Sequence, residues 1–263
     1  MANFFTGAKP RLFAHRGASG EAPENTLAAF RRAAEVGVSY AELDVHATRD
    51  GHIVVIHDET VERTTNGKGK VQDYTFAELQ QLDAGYWFSA DSRQFPFRAG
   101  GIHIPTLAEV LREFPRVKFT VEIKQAESPI EDRVIAVVRD CGRAQEVILA
   151  SEHDPVLARA RALAPDIATS FATGEVVDFI QRVSTGQLVE YHPAGLALQI
   201  PPQFHGVPLV TAETVAAAHA SGLEIHVWTI NEPQEMERLL DLGVDGIISD
   251  FPGRLREVAQ RRQ

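Results

Sequence analysis

The sequence predicts an α/β protein, a TIM-type (β/α)8 barrel of parallel strands surrounded by helices, and three observations support this fold class. Short apolar runs rich in β-branched residues alternate with longer amphipathic runs, a pattern typical of a parallel sheet covered by helices. Eight strand-and-helix units remain when residues 52–57 are taken as the hairpin partner of the second strand. The length of 263 residues fits one such barrel. A doubly wound open sheet has the same alternation and stays an alternative.

The predicted strands are short, and several end on charged or polar residues. We expect strands at residues 11–15, 40–45, 52–57, 118–124, 146–151, 167–172, 195–200, 224–230 and 244–250. Helical spacing, with Ser, Thr, Asp or Pro in several first turns and Gly at most ends, predicts the intervening helices. These helices are expected at residues 24–37, 106–114, 128–142, 154–165, 211–222 and 232–243.

One long segment, at about residues 58–105, has little regular pattern apart from a short helical stretch at 75–83. A connection of that length inside a compact domain is typical of a lid or a small subdomain. The sequence therefore predicts a single domain over 1–263 with an insertion subdomain between the second and third barrel strands. Aromatic residues in this segment either pack the insertion or line a substrate pocket, namely Tyr86, Trp87, Phe88, Phe95 and Phe97.

Composition restricts the partners and the compartment. The formal net charge of −10 argues against a nucleic-acid partner, because the average field would repel a polyanion. The single cysteine, Cys141, fits a reducing compartment. The N-terminal residues lack a signal-peptide pattern, and no apolar run approaches the roughly 20 residues that a membrane helix needs. We therefore expect a cytoplasmic protein with no stable membrane insertion, and the sequence leaves the oligomeric state open.

Three carboxylates fall near the ends of two predicted neighbouring barrel strands. Glu42 and Asp44 are two residues apart and so point to one face of the second strand, and Glu122 lies near the end of the third. Active sites of such barrels form at the carboxyl ends of the strands. An all-oxygen ligand set suits a hard divalent cation, Mg²⁺ first and Ca²⁺ or Mn²⁺ as alternatives. The sequence thus predicts a metal site formed by Glu42, Asp44 and Glu122.

Two histidines and two cations approach the same strand ends. His15 and Arg16 close the first strand, and the Asp50-Gly51 turn folds the hairpin so that His57 returns towards Asp44. Two histidines can divide the roles of general base and general acid. Arg16 and Lys124 supply positive charge for an anionic substrate. This combination suits transfer at a phosphodiester. The alternative is a structural ion network of the carboxylates with these cations.

Several sequence blocks resemble the glycerophosphodiester phosphodiesterase family, in the family's order, from about residue 12 to 252. The blocks are AHRGASGEAPENTLAAF, AELDVHATRDGHIVVIHDETVERTTNGKGKV, IPTLAEVL, VEIK and HVWTINEPQEMERLLDLGVDGIISDFP. The resemblance implies a TIM barrel with an insertion after its second strand. It also implies divalent-metal hydrolysis of glycerophosphodiesters, small-molecule substrates, to sn-glycerol 3-phosphate and an alcohol.

Residue roles also follow from the resemblance. It implies that His15 and His57 are catalytic, that Glu42, Asp44 and Glu122 bind the metal, and that Arg16 and Lys124 bind phosphate. Trp228 would form the aromatic wall of the glycerol pocket. The VEIK block carries Ile where Leu is common in the family, and Glu122 and Lys124 stay in register.

Two alternative functions stay open. Lysophospholipase D or phospholipase-type activity on a larger lipid diester predicts an exposed apolar rim or a basic amphipathic helix, and the net negative charge argues against it. A barrel that binds glycerophosphates without cleaving them predicts the loss of a catalytic group, and no such loss occurs.

Residues around these blocks receive minor roles. We expect His46 and His52 to be solvated and His226 to lie in the barrel interior. Asn25 is expected to cap a helix, or to lie near the phosphate, and Asp250 to orient the last loop or a basic neighbour.

Overall fold

The polypeptide alternates strands and helices as the sequence predicts. A computed structural model of the protein describes residues 4–189 and 191–262. Its strands are β1 (Arg11–His15), β2 (Tyr40–Ala47), β3 (Ile53–Val55), β4 (Lys118–Ile123), β5 (Val147–Ala150), β6 (Ala168–Thr169), β7 (Ala197–Ile200), β8 (Gln203–Phe204), β9 (Val207–Pro208), β10 (Glu224–Val227) and β11 (Gly246–Ser249). Its α-helices are α1 (Leu27–Val36), α2 (Phe76–Leu79), α3 (Leu107–Glu113), α4 (Glu131–Asp140), α5 (Asp154–Leu163), α6 (Thr173–Thr185), α7 (Ala212–Ala220), α8 (Pro233–Leu242) and α9 (Pro252–Gln260).

The main sheet is a nearly closed barrel of eight parallel strands. Its order is β6-β5-β4-β2-β1-β11-β10-β7, and each neighbouring pair is parallel. A backbone hydrogen bond from Leu196 N to Thr169 O, 2.8 Å long, joins the connection before β7 to β6. The predicted barrel is therefore confirmed, and the open-sheet alternative is wrong. Helices α6 and α9 and the β8–β9 hairpin are additions to the predicted elements.

The carboxyl-terminal part of β2 pairs with a short strand that is not part of the eight-stranded barrel. β2 runs two residues beyond its predicted end and pairs antiparallel with β3 through Val45–Val55, His46–Val54 and Ala47–Ile53. The insertion between the second and third barrel strands follows β3, as predicted. It packs on a small apolar cluster that includes Ile56, Val61 and Leu79.

The aromatic residues of the insertion pack against one another and around a cation. The Arg98 guanidinium lies 4.2 Å from the Tyr86 ring centroid and 4.0 Å from that of Phe95. Phe88 and Phe97 meet edge to face, with ring centroids 5.2 Å apart. Packing the insertion is therefore the role that these contacts support. The division of the chain into one domain with a subdomain stays a prediction.

An aromatic layer fills one end of the barrel. Phe4, Phe5, Phe13 and Tyr40 are buried there together, and the fully buried His226 contacts the rings of Phe5 and Phe13 with centroids 4.8 Å apart in each case. The interior position predicted for His226 is confirmed. Because this layer fills the amino-terminal ends of the strands, the barrel opens at the carboxyl ends, where the charged side chains lie.

Within the described part of the chain, every helix is too short or too polar to cross a bilayer.

Candidate active site

Strand register brings three carboxylates and one histidine together. His15 on β1 lies opposite Glu42 on β2, and Asp44 lies opposite Glu122 on β4. One carboxylate oxygen from each of Glu42, Asp44 and Glu122 lies within 4.8 Å of the other two. Glu42 and Asp44 are 6% and 1% exposed. The predicted carboxylate cluster therefore forms in the barrel mouth.

The cluster is short of positive charge. Burial raises the pKa of Glu42 well above its ordinary value, and the charges of Asp44 and Glu122 raise it further. Burial and the Asp44 charge also raise the pKa of Glu122. Among the residues described, Asp44 Oδ1 is buried and accepts no hydrogen bond. A buried oxygen without a donor beside two further carboxylates fits a bound hard cation.

Arg16 and Lys124 flank the cluster and contact its carboxylates. Arg16 Nε lies 3.2 Å from Asp44 Oδ2, and Lys124 Nζ lies 2.8 Å from Glu122 Oε1 and 3.6 Å from Asp44 Oδ1. Burial acts to lower the pKa of Lys124, but the charges of Glu122 and Asp44 outweigh it and raise the pKa. Both cations thus stay charged at the edge of the cavity, held by groups that a metal would also contact.

A hydrogen bond holds the His15 ring on the side that faces away from the carboxylate cluster. Its Nδ1 donates to Asp250 Oδ1 over 2.7 Å, which leaves Nε2 4.0 Å from Glu42 Oε2. Ser19 and Asn231 also donate to the Asp250 carboxylate, over 2.8 and 2.6 Å. Burial alone would raise the pKa of Asp250, but the hydrogen bonds and the His15 charge outweigh it and lower the pKa to about 2. Asp250 therefore orients a basic neighbour, as predicted from the sequence.

His57 is held in the same way. It follows β3, and its Nδ1 donates to Asp58 Oδ1 over 2.6 Å. Arg63 donates to both oxygens of Asp58, over 2.6 and 2.9 Å, and to both oxygens of Glu24, over 2.7 Å each. Glu24 accepts from Arg16 Nη1 over 2.9 Å. A continuous line of ion pairs thus connects His57 to Arg16. Burial opposes ionisation of Asp58, but Arg63 and His57 lower its pKa to about 2.

The solvated position predicted for His46 is wrong, and so is the first of the two roles predicted for Asn25, the helix cap. His46 is 5% exposed, not solvated, and its Nε2 donates to the His57 carbonyl over 3.1 Å. Thr26, not Asn25, is the N-cap of α1. The Asn25 amide donates to Asp44 Oδ2 over 2.9 Å. His52 is half exposed, as expected.

The loop after β1 has a strained backbone at the site. Arg16 and Asn25 have φ of 55° and 57°, in the left-handed region that side chains rarely adopt. Asn25 N donates to Arg16 O over 2.9 Å, and Arg16 N donates to Glu42 Oε2 over 3.1 Å. Such strain collects where side chains must be placed for function.

Sequence reasoning missed three members of the site, Glu24, Asp58 and Arg63. A weak signal existed for Asp58, which directly follows His57. Arg63 lies five residues further along, and Glu24 lies on another loop, so their meeting depends on the folded insertion.

All predicted site residues except the fully buried Asp44 line one open cavity of about 560 Å³. They are His15, Arg16, Glu42, His57, Glu122, Lys124 and Trp228. Trp228 is 41% exposed, and its indole Nε1 donates to Gln199 O over 2.8 Å. Carboxylates, cations and paired histidines at one barrel mouth are typical of enzymes that act on phosphate esters.

Comparisons with known proteins agree with this class. Residues 15–254 match the glycerophosphoryl diester phosphodiesterase family. A glycerophosphodiester phosphodiesterase from Caldanaerobacter subterraneus subsp. tengcongensis is 35% identical, over 96% of this chain and 99% of its own. A human lysophospholipase D is 26% identical, over 92% and 85%. An Oleispira antarctica phosphodiesterase, solved with the product sn-glycerol-3-phosphate, has a TM-score of 0.76 and 28% identity, over 95% and 97%.

The chain therefore belongs to the glycerophosphoryl diester phosphodiesterase family. The resemblance and the prediction of an enzyme, a phosphoric diester hydrolase, are confirmed.

Proposed function

We propose that the protein hydrolyses glycerophosphodiesters to sn-glycerol 3-phosphate and an alcohol, with His15 and His57 as the acid-base pair and a divalent cation on Glu42, Asp44 and Glu122. One observation carries the proposal. The Nδ1 atom of each histidine donates a hydrogen bond to an aspartate, and both rings line the cavity that contains the cluster of Glu42, Asp44 and Glu122. The relative that is solved with sn-glycerol-3-phosphate supports the product.

The histidine tautomer follows from the partners. A carboxylate only accepts hydrogen bonds, so Nδ1 of each ring carries a proton and Nε2 is the nitrogen that exchanges one. One histidine takes the proton of the attacking hydroxyl as the new P–O bond forms. The other gives a proton to the alkoxide as the P–O bond to the alcohol breaks. The two environments are alike enough that either histidine fits either role. If water is the nucleophile, one displacement gives sn-glycerol 3-phosphate and the alcohol. If the glycerol 2-hydroxyl attacks first, the alcohol leaves with formation of a cyclic phosphate, and water opens that ring in a second step to give sn-glycerol 3-phosphate.

Charge balance supports a divalent cation in the cluster. Three carboxylates and the two cations Arg16 and Lys124 leave one net negative charge, which a divalent cation converts to one positive charge. A phosphodiester anion then neutralises the site. When bound, the cation would polarise the phosphoryl oxygens. Mg²⁺ is the first candidate, and Ca²⁺ or Mn²⁺ also suit oxygen ligands.

Arg16 and Lys124 are proposed to bind the phosphate, and Trp228 to form a wall of the glycerol pocket. Both cations contact Asp44. A metal on that carboxylate would compete with them and free their N–H groups for phosphoryl oxygens. The indole hydrogen bond to Gln199 O fixes the ring of Trp228 with one face available to the carbon skeleton of glycerol.

The test is release of sn-glycerol 3-phosphate from glycerophosphocholine by protein stripped of metal and then resupplied with Mg²⁺, Ca²⁺ or Mn²⁺. We expect turnover only with metal, and its loss by orders of magnitude in His15→Ala and His57→Ala. Asp241→Asn is the matched control, because Asp241 is exposed and pairs with Arg262 at the surface. Metal-independent turnover, or full activity of either histidine variant, would contradict the proposal. Binding of glycerol phosphate without turnover would favour the binding-only barrel.

A further inference from the structure

The cavity has a second, apolar side that the proposed chemistry does not use. The histidines, carboxylates and cations that the proposed chemistry uses come from β1, β2 and β4 and the segments that follow them. Most of the large apolar groups come from the segments after β6, β7 and β10, where Gln181 and Ser184 of α6 also line the cavity. In the ring order β6-β5-β4-β2-β1-β11-β10-β7, the second set of strands lies directly across the barrel from the first. The mouth therefore has a charged half and an apolar half facing each other.

The apolar half is formed by α6 and the β8–β9 hairpin. α6 contributes Val176, Val177 and Ile180, and the hairpin and its flanks contribute Phe204 and Leu209. We refer to these five side chains as the apolar wall. They reach the cavity from two segments that lie far apart in sequence, so closure of the barrel assembles the wall.

The apolar wall is exposed to an unusual degree. Val177 is 57% exposed and Phe204 is 54% exposed. Large apolar side chains on a soluble surface are individually common, but a group of them inside one concave site is typical of a ligand surface. Four of the five wall side chains are aliphatic, so a choline or ethanolamine head group gains little from most of the wall, because its charge prefers water or an aromatic face.

We infer that the protein prefers a glycerophosphodiester that carries one hydrocarbon chain, and that the chain lies along the apolar wall while the phosphate faces His15 and His57. This inference rests on the proposed function and names its substrate class. The chain could be attached to the glycerol, as in a lysophospholipid, or to the leaving alcohol. In both cases the same methylene groups leave water for the same wall.

The experiment compares two matched substrate pairs, each used below the concentration at which it forms micelles. The first pair is hexanoyl lysophosphatidylcholine and glycerophosphocholine, with choline release as the readout. The second pair is the hexyl and the methyl ester of sn-glycerol 3-phosphate, with alcohol release as the readout. Each buried methylene is worth about fourfold in kcat/KM. We expect the chain to raise kcat/KM at least about tenfold in one pair, and that pair identifies where the chain is attached.

Substitutions in the apolar wall test whether the gain in kcat/KM from the hydrocarbon chain depends on contact with that wall. Val177→Ser and Phe204→Ser should reduce the chain-to-no-chain ratio of kcat/KM several-fold, and both positions are exposed enough to tolerate the change. Leu163→Ser on α5 is the matched control, since Leu163 is 51% exposed and lies outside the set of described cavity-lining residues. Its ratio should stay unchanged.

The outcomes separate the two proposals. If the chain-free substrates are hydrolysed and the chain gives no advantage in either pair, the substrate inference is wrong and the proposed function stands. If the advantage survives in both wall variants, the chain lies elsewhere and the placement is wrong. If no substrate of any kind is hydrolysed, the proposed function itself fails.

Discussion

The first prediction is that loss of the Asp250 carboxylate reduces both the stability and the activity of the protein. This carboxylate accepts from the His15 ring, from Ser19 and from Asn231 over 2.7, 2.8 and 2.6 Å. Replacement by Asn keeps the shape but removes the charge and turns an N–H₂ group towards one of these donors. We therefore expect Asp250→Asn both to destabilise the fold and to misplace the His15 ring.

The size of the stability loss follows from the pKa of Asp250. That pKa is about 2, against an ordinary value of 3.8. The difference corresponds to about 2.5 kcal/mol of unfolding free energy at neutral pH. Because the folded pKa is the lower one, this stabilisation is complete above about pH 5 and is lost progressively as the pH falls to about 1. The gap between wild type and Asp250→Asn should therefore narrow to roughly half at pH 3.

The assay is urea unfolding of both proteins at pH 7 and pH 3, together with steady-state kinetics at neutral pH. We expect kcat to fall about 10²–10⁴-fold, in the range seen when a catalytic histidine loses its carboxylate partner. Asp241→Asn should change neither quantity by more than a small amount. A variant as stable and as active as wild type would refute the idea that Asp250 orients His15. A stability gap independent of pH would refute the assigned cause of the low pKa.

Three further predictions concern the rest of the site. Asp58→Asn should lower kcat with little change in KM, because Asp58 orients the His57 ring; steady-state kinetics that show a raised KM alone would point to substrate binding instead. Glu122→Gln should weaken Mn²⁺ binding at least about tenfold by calorimetry, since it removes one of three charged ligands, and an unchanged affinity would place the metal elsewhere. Metal affinity should rise from pH 5 to pH 7, because the raised pKa of Glu42 makes protons compete with the ion; a flat affinity would contradict that competition.

The local pattern of apolar residues and helix-ending glycines identifies most strands and helices of the barrel. Strand runs such as residues 11–15 and helices that end on Gly37 or Gly243 depend on neighbours in sequence, so the sequence alone determines them. α6 was missed because Thr173, Gly174 and its β-branched valines have low helix propensity. Its packing on the barrel, not its propensity, makes this segment helical.

The residue types of the site are also readable from the sequence. Charged groups at strand ends are costly unless they compensate one another, which is why the sequence alone groups His15, Glu42, Asp44 and Glu122. Alternation along β2 and the register with β1 and β4 then place them on one face.

Only the tertiary structure decided which carboxylates orient the two histidines and which side chains lie across the cavity from them. The line from His57 through Asp58, Arg63 and Glu24 to Arg16 joins two loops, the one after β3 and the one after β1. His46 is buried where the segment after β3 returns and its His57 carbonyl accepts from the ring. Asn25 reaches Asp44 from a loop that is left-handed at that position. The apolar wall exists only because the ring of strands closes and sets α6 opposite the charged half. Contacts between distant segments depend on that closure, and no local pattern encodes it.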